Sequence, residues 1–262
     1  MQKVTSKDGT RIAFDKLGNG SALILVGGAF QERAGDERTA QLASQLSQHF
    51  TVFHYDRRGR GDSSDTPPYS VAREIDDLQA LINEAGGAAF VFGMSSGAAL
   101  ALKATAHGLD IKKLALYEPP FNSGDNNARA SAKKYTQQLT ALLAENRRGD
   151  AAAFTMTAWG TPAEAIEGMR QSPMWSGIEA IAPTLAYDDA IMGDGSVPTQ
   201  DAKEVKVPTL VLDGGNSPAF MHHAADELAK ILPEAQRRTL KEQTHAYAPE
   251  VLAPVLEEFF AK

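Results

Sequence analysis

Short apolar runs that alternate with helical segments restrict the fold of this sequence more than any other feature. Ala22–Val26 is entirely apolar and ends at Gly27-Gly28, and Thr51–Tyr55 ends at a second glycine-rich loop. Such runs are typical of strands buried on both faces of a parallel sheet. Apolar residues at helical spacing follow in 36–48, 70–85 and 96–107, and further short strand-like runs follow in 88–92 and 113–117. This alternation predicts right-handed βαβ units joined into one sheet.

The alternation stops after the sixth predicted strand, at Pro119-Pro120. Residues 122–200 contain helical runs but no convincing strand, and the alternation resumes at Val207–Leu212. A helical segment inserted between two strands of one sheet explains this order. We therefore predict a core domain formed by residues 1–121 and 201–262, with a helical cap formed by residues 122–200.

The first residues predict an antiparallel hairpin at one edge of the sheet. Residues 2–6 and 10–16 alternate polar and apolar side chains around Asp8-Gly9, a dipeptide that favours tight hairpin turns. Together, these patterns predict an α/β fold. Its sheet is twisted, mostly parallel and of about eight strands, with helices on both faces.

Composition and charge argue against several classes of protein. A formal net charge of −7 without a dense Lys/Arg cluster disfavours nucleic-acid binding, and no run of about 18 apolar residues could span a membrane. The absence of cysteine excludes disulfides and a cysteine nucleophile, and the polar residues 1–10 do not resemble a secretory signal. We expect a cytoplasmic monomer or homodimer that acts on a small-molecule substrate without a membrane or nucleic-acid partner.

A G-x-S-x-G pentapeptide, Gly93-Met94-Ser95-Ser96-Gly97, lies between a predicted strand and an alanine-rich helix. A nucleophilic serine must stand on a sharp turn, and flanking glycines remove the side chains that would collide there. The start of a helix also directs free N–H groups and a positive dipole towards a developing oxyanion. The motif therefore predicts Ser95 as a nucleophile; the alternative is a flexible glycine turn.

A general base for this serine is expected late in the chain. His245 is the only histidine after the last predicted strand, and it precedes the closing helix predicted at Pro249–Ala261. An imidazole can accept the serine proton and return it to the leaving group. His245 is thus the predicted base, with a surface histidine as the alternative.

These motifs together resemble the α/β-hydrolase superfamily over nearly the whole chain. Asp56–Ser63 is similar to the D-x-R-G-x-G-x-S loop of that superfamily, and the late histidine has the position of its catalytic base. Gly27-Gly28 stands where such proteins carry a His-Gly pair, so one side chain is missing here. The resemblance implies an oxyanion hole formed by the backbone N–H of Ser96 and that of Ala29 or Phe30.

The acid of the implied catalytic triad departs from the commonest pattern. Superfamily members usually place an aspartate a few residues after the strand that corresponds to Val207–Leu212, but Ser217 stands there and carries no charge. Some members take the acid from the end of the preceding strand, where this chain has Glu118. Glu118 is the favoured acid, Asp213 is the alternative, and a dyad assisted by Asn216 or Ser217 is the third possibility.

The predicted cap is rich in large apolar side chains, which suit an apolar acyl or aryl group above a serine. The alternative is that they only hold the cap on the sheet. The predicted pocket residues are Met94, Phe121, Trp159 and Trp175.

A serine nucleophile favours an acyl-enzyme, whereas superfamily members with aspartate at this position form an alkyl ester. We expect a serine hydrolase of carboxylesterase type, acting on an ester or lactone of a small apolar acid. No metal-ligand spacing and no nucleotide-binding glycine loop is visible in the sequence, so no cofactor is expected. The alternatives are a carbon–carbon bond hydrolase acting on a diketone, or a ligand-binding protein of this fold with little turnover.

Overall fold

The computed structural model describes residues 1–261, which form one eight-stranded sheet. The strand order is β1-β2-β4-β3-β5-β6-β7-β8; β2 is antiparallel to β1 and β4, and the other pairs are parallel. This confirms the mostly parallel sheet, and β1 and β2 form the expected edge hairpin. The strands are β1 (Gln2–Thr5), β2 (Arg11–Leu17), β3 (Ser21–Val26), β4 (Phe50–Tyr55), β5 (Ala89–Met94), β6 (Ile111–Tyr117), β7 (Thr209–Gly214) and β8 (Ala235–Leu240).

The helices of the predicted βαβ units occur where the apolar spacing placed them. They are α1 (Glu37–Leu46), α2 (Val71–Glu84), α3 (Ser96–Ala106), α10 (Ala219–Ile231) and α11 (Pro249–Ala261). Within residues 1–261, no helix is both long and apolar enough to cross a membrane.

Six further α-helices and one short 3-10 helix (Ala182–Thr184) lie between β6 and β7, which are paired neighbours in the sheet. Only the α-helices are labelled here. The sequence predicts the first three, at Ala130–Asn146, Ala151–Thr157 and Ala163–Gln171, but not the last three, which contain only six to eight residues each. The six α-helices are α4 (Asn126–Ala144), α5 (Arg148–Ala158), α6 (Ala163–Arg170), α7 (Trp175–Ile181), α8 (Leu185–Met192) and α9 (Thr199–Glu204). We refer to α4–α9 as the insertion.

The sheet is covered on both faces by apolar clusters. In β3, Ile24 and Val26 pack in a cluster with residues of α2, α3 and α10, whereas Leu23 and Leu25 pack in a cluster with residues of α1 and α11. Because successive side chains of a strand point to opposite faces, a strand covered on both sides must be apolar throughout. This is the reason for the continuous apolar runs of the sequence.

The insertion has its own apolar cluster, and the loop after β3 packs against it through Ala29 and Phe30. Its buried members are Leu139, Leu142, Ala151, Ala152, Met156, Ile166, Trp175, Ala182 and Leu185. The insertion therefore lies at the carboxyl edge of the parallel strands, where open α/β sheets bind their ligands.

Candidate active site

Ser95 occupies a strained turn between β5 and α3. Its backbone has φ 55° and ψ −128°, and α3 begins at the next residue, Ser96. A positive φ is uncommon for a residue with a side chain, and such strain is concentrated at functional sites. The Ser95 N–H donates to the Tyr117 carbonyl, 2.9 Å away, which fixes the turn to the end of β6.

Glycines allow this turn to pack directly on the loop after β3. A Cβ atom at Gly97 would lie 2.4 Å from the carbonyl oxygens of Val26 and Gly27. A Cβ at Gly28 would lie 2.9 Å from Cβ of Ser95. These approaches are too close for any side chain, so both sides of the contact require glycine. The serine turn and the loop after β3 thus form one closely packed edge.

We expect Gly97→Ala to lower the free energy of unfolding by about 3 kcal/mol, because the added methyl group forces two backbone segments apart. Gly168→Ala is the matched control, since Gly168 lies in α6 and the added Cβ would have no atom within 4 Å beyond the adjoining helix backbone. Alanine should stabilise that helix by about 0.5 to 1 kcal/mol. Urea denaturation of both variants checks this prediction, and similar changes in the two variants would contradict it.

Glu118 and His245 form a hydrogen-bonded pair at the carboxyl edge of the sheet. Glu118 follows β6, is completely buried, and its Oε2 lies 2.7 Å from Nδ1 of His245. Its Oε1 accepts the N–H of Gly214 at 2.7 Å, so both carboxylate oxygens are held. With Nδ1 donating to Glu118, Nε2 is the imidazole nitrogen that is left to accept a proton.

Tyr117 connects the segments that carry Ser95 and His245. Its carbonyl accepts the N–H of Ser95, and its hydroxyl donates to the Thr244 carbonyl at 2.6 Å. Among residues 1–261, no hydrogen bond joins Ser95 Oγ directly to His245. Ser95 and Thr244, the residue before His245, are nevertheless both hydrogen-bonded to Tyr117 of β6, and Glu118 is the next residue after Tyr117.

Asp213, the alternative acid, has other partners. Its buried carboxylate accepts from both terminal nitrogens of Arg237, at 2.7 and 2.6 Å, and is also bonded to His222 Nδ1. Burial raises the pKa of Asp213, but hydrogen bonds from Arg237, Thr239 and His222 outweigh this effect and hold the pKa below its usual value. Asp213 is therefore an ionised partner of Arg237, whereas Glu118 is the carboxylate bonded to His245.

The uncharged alternatives also lack a bond to the histidine. The Asn216 amide donates to the Glu242 carbonyl at 3.4 Å. Within the described residues, the buried hydroxyl of Ser217 has no hydrogen-bond partner. Neither side chain is bonded to His245 in this structure.

The loop after β3 presents its backbone to Ser95. The N–H of Gly28 is bonded to the Gln31 side chain, and Phe30 has φ 58°. Ser96 is the first residue of α3, and the first N–H groups of a helix have no acceptor within that helix. The N–H of Ser96 and those of Ala29 or Phe30 remain the predicted oxyanion donors.

Two buried arginines beside this loop were not identified as site residues from the sequence. Arg57 and Arg60 belong to the recognised Asp56–Ser63 loop, but both pair with Asp188 on α8. The motif identifies the loop, whereas Asp188 lies more than a hundred residues later in the chain, on a helix that the sequence did not predict. Only the tertiary structure brings the three side chains together.

The predicted pocket residues occupy different environments. Met94 and Phe121 are buried in the two sheet clusters, and Trp175 is buried in the cluster of the insertion. Trp159 is 55% exposed, and its ring meets the Phe30 ring edge-on at a centroid distance of 5.7 Å. Of these four residues, Trp159 is thus the exposed one, and it contacts the loop after β3.

A sequence model of the alpha/beta hydrolase family matches residues 23–255. The solved structure of an alpha/beta hydrolase from Sphaerobacter thermophilus DSM 20745 is 54% identical, with a TM-score of 0.89, and the match covers 99% of this chain and 100% of that one.

Two more distant structures share the fold. A thermophilic esterase from Thermogutta terrifontis is 22% identical, with a TM-score of 0.74, over 99% of this chain and 97% of that chain. An enol-lactonase from Burkholderia xenovorans LB400 is 21% identical, with a TM-score of 0.70, over 100% of both chains. The family match and the full-length relative show that this chain belongs to the alpha/beta hydrolase family.

Proposed function

We propose that this protein is a serine hydrolase that cleaves esters or lactones of small apolar carboxylic acids through an acyl-enzyme. The bond between Glu118 and His245, beside the strained turn of Ser95, is the observation that carries the proposal. The esterase and the enol-lactonase that share the fold act on bonds of the same kind, which supports this reaction class.

In this mechanism Ser95 Oγ attacks the substrate carbonyl while His245 Nε2 accepts the serine proton. Glu118 holds the imidazole with its proton on Nδ1 and stabilises the imidazolium that forms. The histidine then protonates the leaving group. Water, activated by the same imidazole, hydrolyses the acyl-enzyme and frees the serine.

The oxyanion formed in each step is held by the N–H groups of Ser96 and Ala29, with Phe30 as the alternative second donor. The N–H of Gly28 is already bonded to Gln31, whereas the next N–H along the chain, that of Ala29, has no hydrogen-bond partner among residues 1–261. Donors that are fixed before the reaction stabilise the developing charge without reorganisation.

The insertion, which overlaps the cap predicted at residues 122–200, acts as a helical cap, and its contacts favour an apolar acyl group. Its apolar cluster packs on Ala29 and Phe30, the loop that also supplies the oxyanion donor. Trp159 meets Phe30 edge-on, and Tyr135 stacks on Phe154 at 5.4 Å between centroids. Aromatic side chains of this kind bind apolar surface and exclude water from a reacting ester.

The test is hydrolysis of a series of p-nitrophenyl esters from acetate to decanoate, combined with mass spectrometry of acid-quenched protein. We expect turnover of the shorter esters and an added acyl mass on the peptide that contains Ser95. A protein without turnover and without an acyl adduct would contradict the proposed function.

A further inference from the structure

A carboxylate of the insertion lies at the centre of a buried charge cluster beneath the serine turn. Asp188 of α8 is 5% exposed, and its Oδ2 accepts from Nη2 of Arg60 at 2.7 Å. Its Oδ1 accepts from Nη1 of Arg57 and from Oγ of Ser96, each at 2.7 Å. The insertion is thereby bonded directly to the residue after the nucleophile.

The same guanidinium groups hold the loop after β3. Arg60 Nη1 donates to the carbonyl of Gly28, and Arg57 Nη1 donates to that of Gly27 at 3.3 Å. A carbonyl and the N–H of the following residue share one planar peptide group. The bond to Gly28 O therefore also fixes the direction of the N–H of Ala29.

We propose that Asp188 is a positioning residue that orients both N–H donors of the oxyanion hole. Asp188 orients the N–H of Ser96 through its bond to the Ser96 hydroxyl. It orients the N–H of Ala29 through Arg60, which holds the carbonyl of Gly28. The inference rests on the proposed function. It adds to that function a role for the insertion in transition-state stabilisation, through contacts on the side of the hole that faces away from substrate.

The cluster is balanced in charge, which explains how two arginines are buried together. Glu74 receives Arg57 on both carboxylate oxygens, at 2.6 and 3.2 Å, so two carboxylates oppose two guanidinium groups. Burial raises the pKa of Asp188, but the charges of Arg60 and Arg57 outweigh it and hold that pKa below its usual value. Neutralising Asp188 leaves a buried positive charge, so any test must separate lost stability from lost positioning.

The chain offers a matched control in a second buried pair. Asp77 is completely buried and accepts from Nε and Nη2 of Arg58, both at 2.7 Å. The other hydrogen bonds of Arg58 go to Asp8 and to the Arg73 carbonyl. Burial raises the pKa of Asp77 to about 6, so at pH 8 Asp77→Asn also removes a buried charge.

The experiment compares Asp188→Asn, Asp77→Asn and Ser96→Ala at pH 8. It measures kcat, KM, urea denaturation and inhibition by an alkyl trifluoromethyl ketone, whose hemiketal with Ser95 places an oxyanion in the hole. For Asp188→Asn we expect kcat to fall about 30-fold and ketone affinity to weaken by a similar factor, with KM changed less than about threefold. Asp77→Asn should lose stability but keep kcat within about twofold.

Ser96→Ala keeps all four charges and removes only the hydroxyl, which donates to Asp188 at 2.7 Å and accepts from Arg57 Nη1 at 3.4 Å. It therefore decides the question if Asp188→Asn does not fold. We expect its kcat and ketone affinity to fall together, by about fivefold. Equal losses of kcat in Asp188→Asn and Asp77→Asn would overturn the inference alone. Unchanged ketone affinity in Asp188→Asn would do the same, as would unchanged ketone affinity in Ser96→Ala if Asp188→Asn does not fold. A wild type that neither hydrolyses esters nor forms the hemiketal would contradict the proposed function, and the inference with it.

Discussion

Ser95→Ala is expected to reduce kcat for p-nitrophenyl esters by about 10⁵-fold, because no acyl-enzyme can form without the hydroxyl. The residual rate would come from the oxyanion donors and from binding alone, which continue to act when a nucleophile is removed. Steady-state kinetics and intact-protein mass measure the two consequences, loss of turnover and loss of the acyl adduct.

Ser217→Ala is the matched control for this substitution. Ser217 lies after β7, and its hydroxyl is buried without a hydrogen-bond partner among residues 1–261. Its removal should change kcat by less than about twofold. A large loss in Ser217→Ala, or an acyl adduct that persists in Ser95→Ala, would show that a different serine carries the chemistry.

Glu118→Gln is expected to reduce kcat by about 10⁴-fold. The glutamine oxygen can still accept the N–H of Gly214, which turns the amide nitrogen towards Nδ1 of His245. Because that nitrogen donates, it favours the imidazole tautomer with its proton on Nε2. This tautomer cannot accept the proton of Ser95, and the imidazolium also loses its counter-charge.

Asp213→Asn provides the comparison, since it neutralises a second buried carboxylate at the same edge of the sheet. We expect kcat to be nearly unchanged and the free energy of unfolding to fall by about 2 kcal/mol, because Arg237 loses a bidentate partner. Kinetics and urea denaturation of the two variants distinguish the roles. The reverse result, with activity lost in Asp213→Asn and kept in Glu118→Gln, would assign the acid to Asp213.

The strands of the sheet could be predicted from the sequence because burial on both faces requires a continuous run of apolar residues. Ala22–Val26 is apolar throughout because Ile24 and Leu25 face different clusters, and the glycines around Ser95 are required by backbone contacts. Local sequence therefore carries both the strands and the serine turn. The strand order follows only from pairing in the tertiary structure.

The sequence favours Glu118 over Asp213 as the acid, but it does not exclude Asp213. Glu118 and Asp213 both lie at the ends of neighbouring strands, and each precedes a residue typical of turns. What separates them is the position of Arg237 on β8, whose guanidinium neutralises Asp213. That contact depends on the register between β7 and β8, which composition and spacing do not determine.

Asp188 was also outside the reach of pattern analysis. It lies in the eight-residue helix α8, beside Asp189, and two adjacent carboxylates in a short helix usually indicate a solvent-facing turn. Its burial is explained by its bonds to the two arginines of the loop after β4 and to the Ser96 hydroxyl. A motif can identify such a loop without showing which distant residue completes its charge balance.

The placement of the insertion limits how segments of this chain could be exchanged with those of relatives. Because β6 and β7 are adjacent, the insertion leaves and re-enters the sheet at neighbouring points, and a substitute of different length would not disturb strand pairing. A substitute without a carboxylate at the place of Asp188 would, however, remove the ion pair of buried Arg60, and would leave Arg57 with Glu74 as its remaining ion-pair partner among residues 1–261. In a chimera or in evolution, the insertion and the Asp56–Ser63 loop are therefore expected to be inherited as a pair.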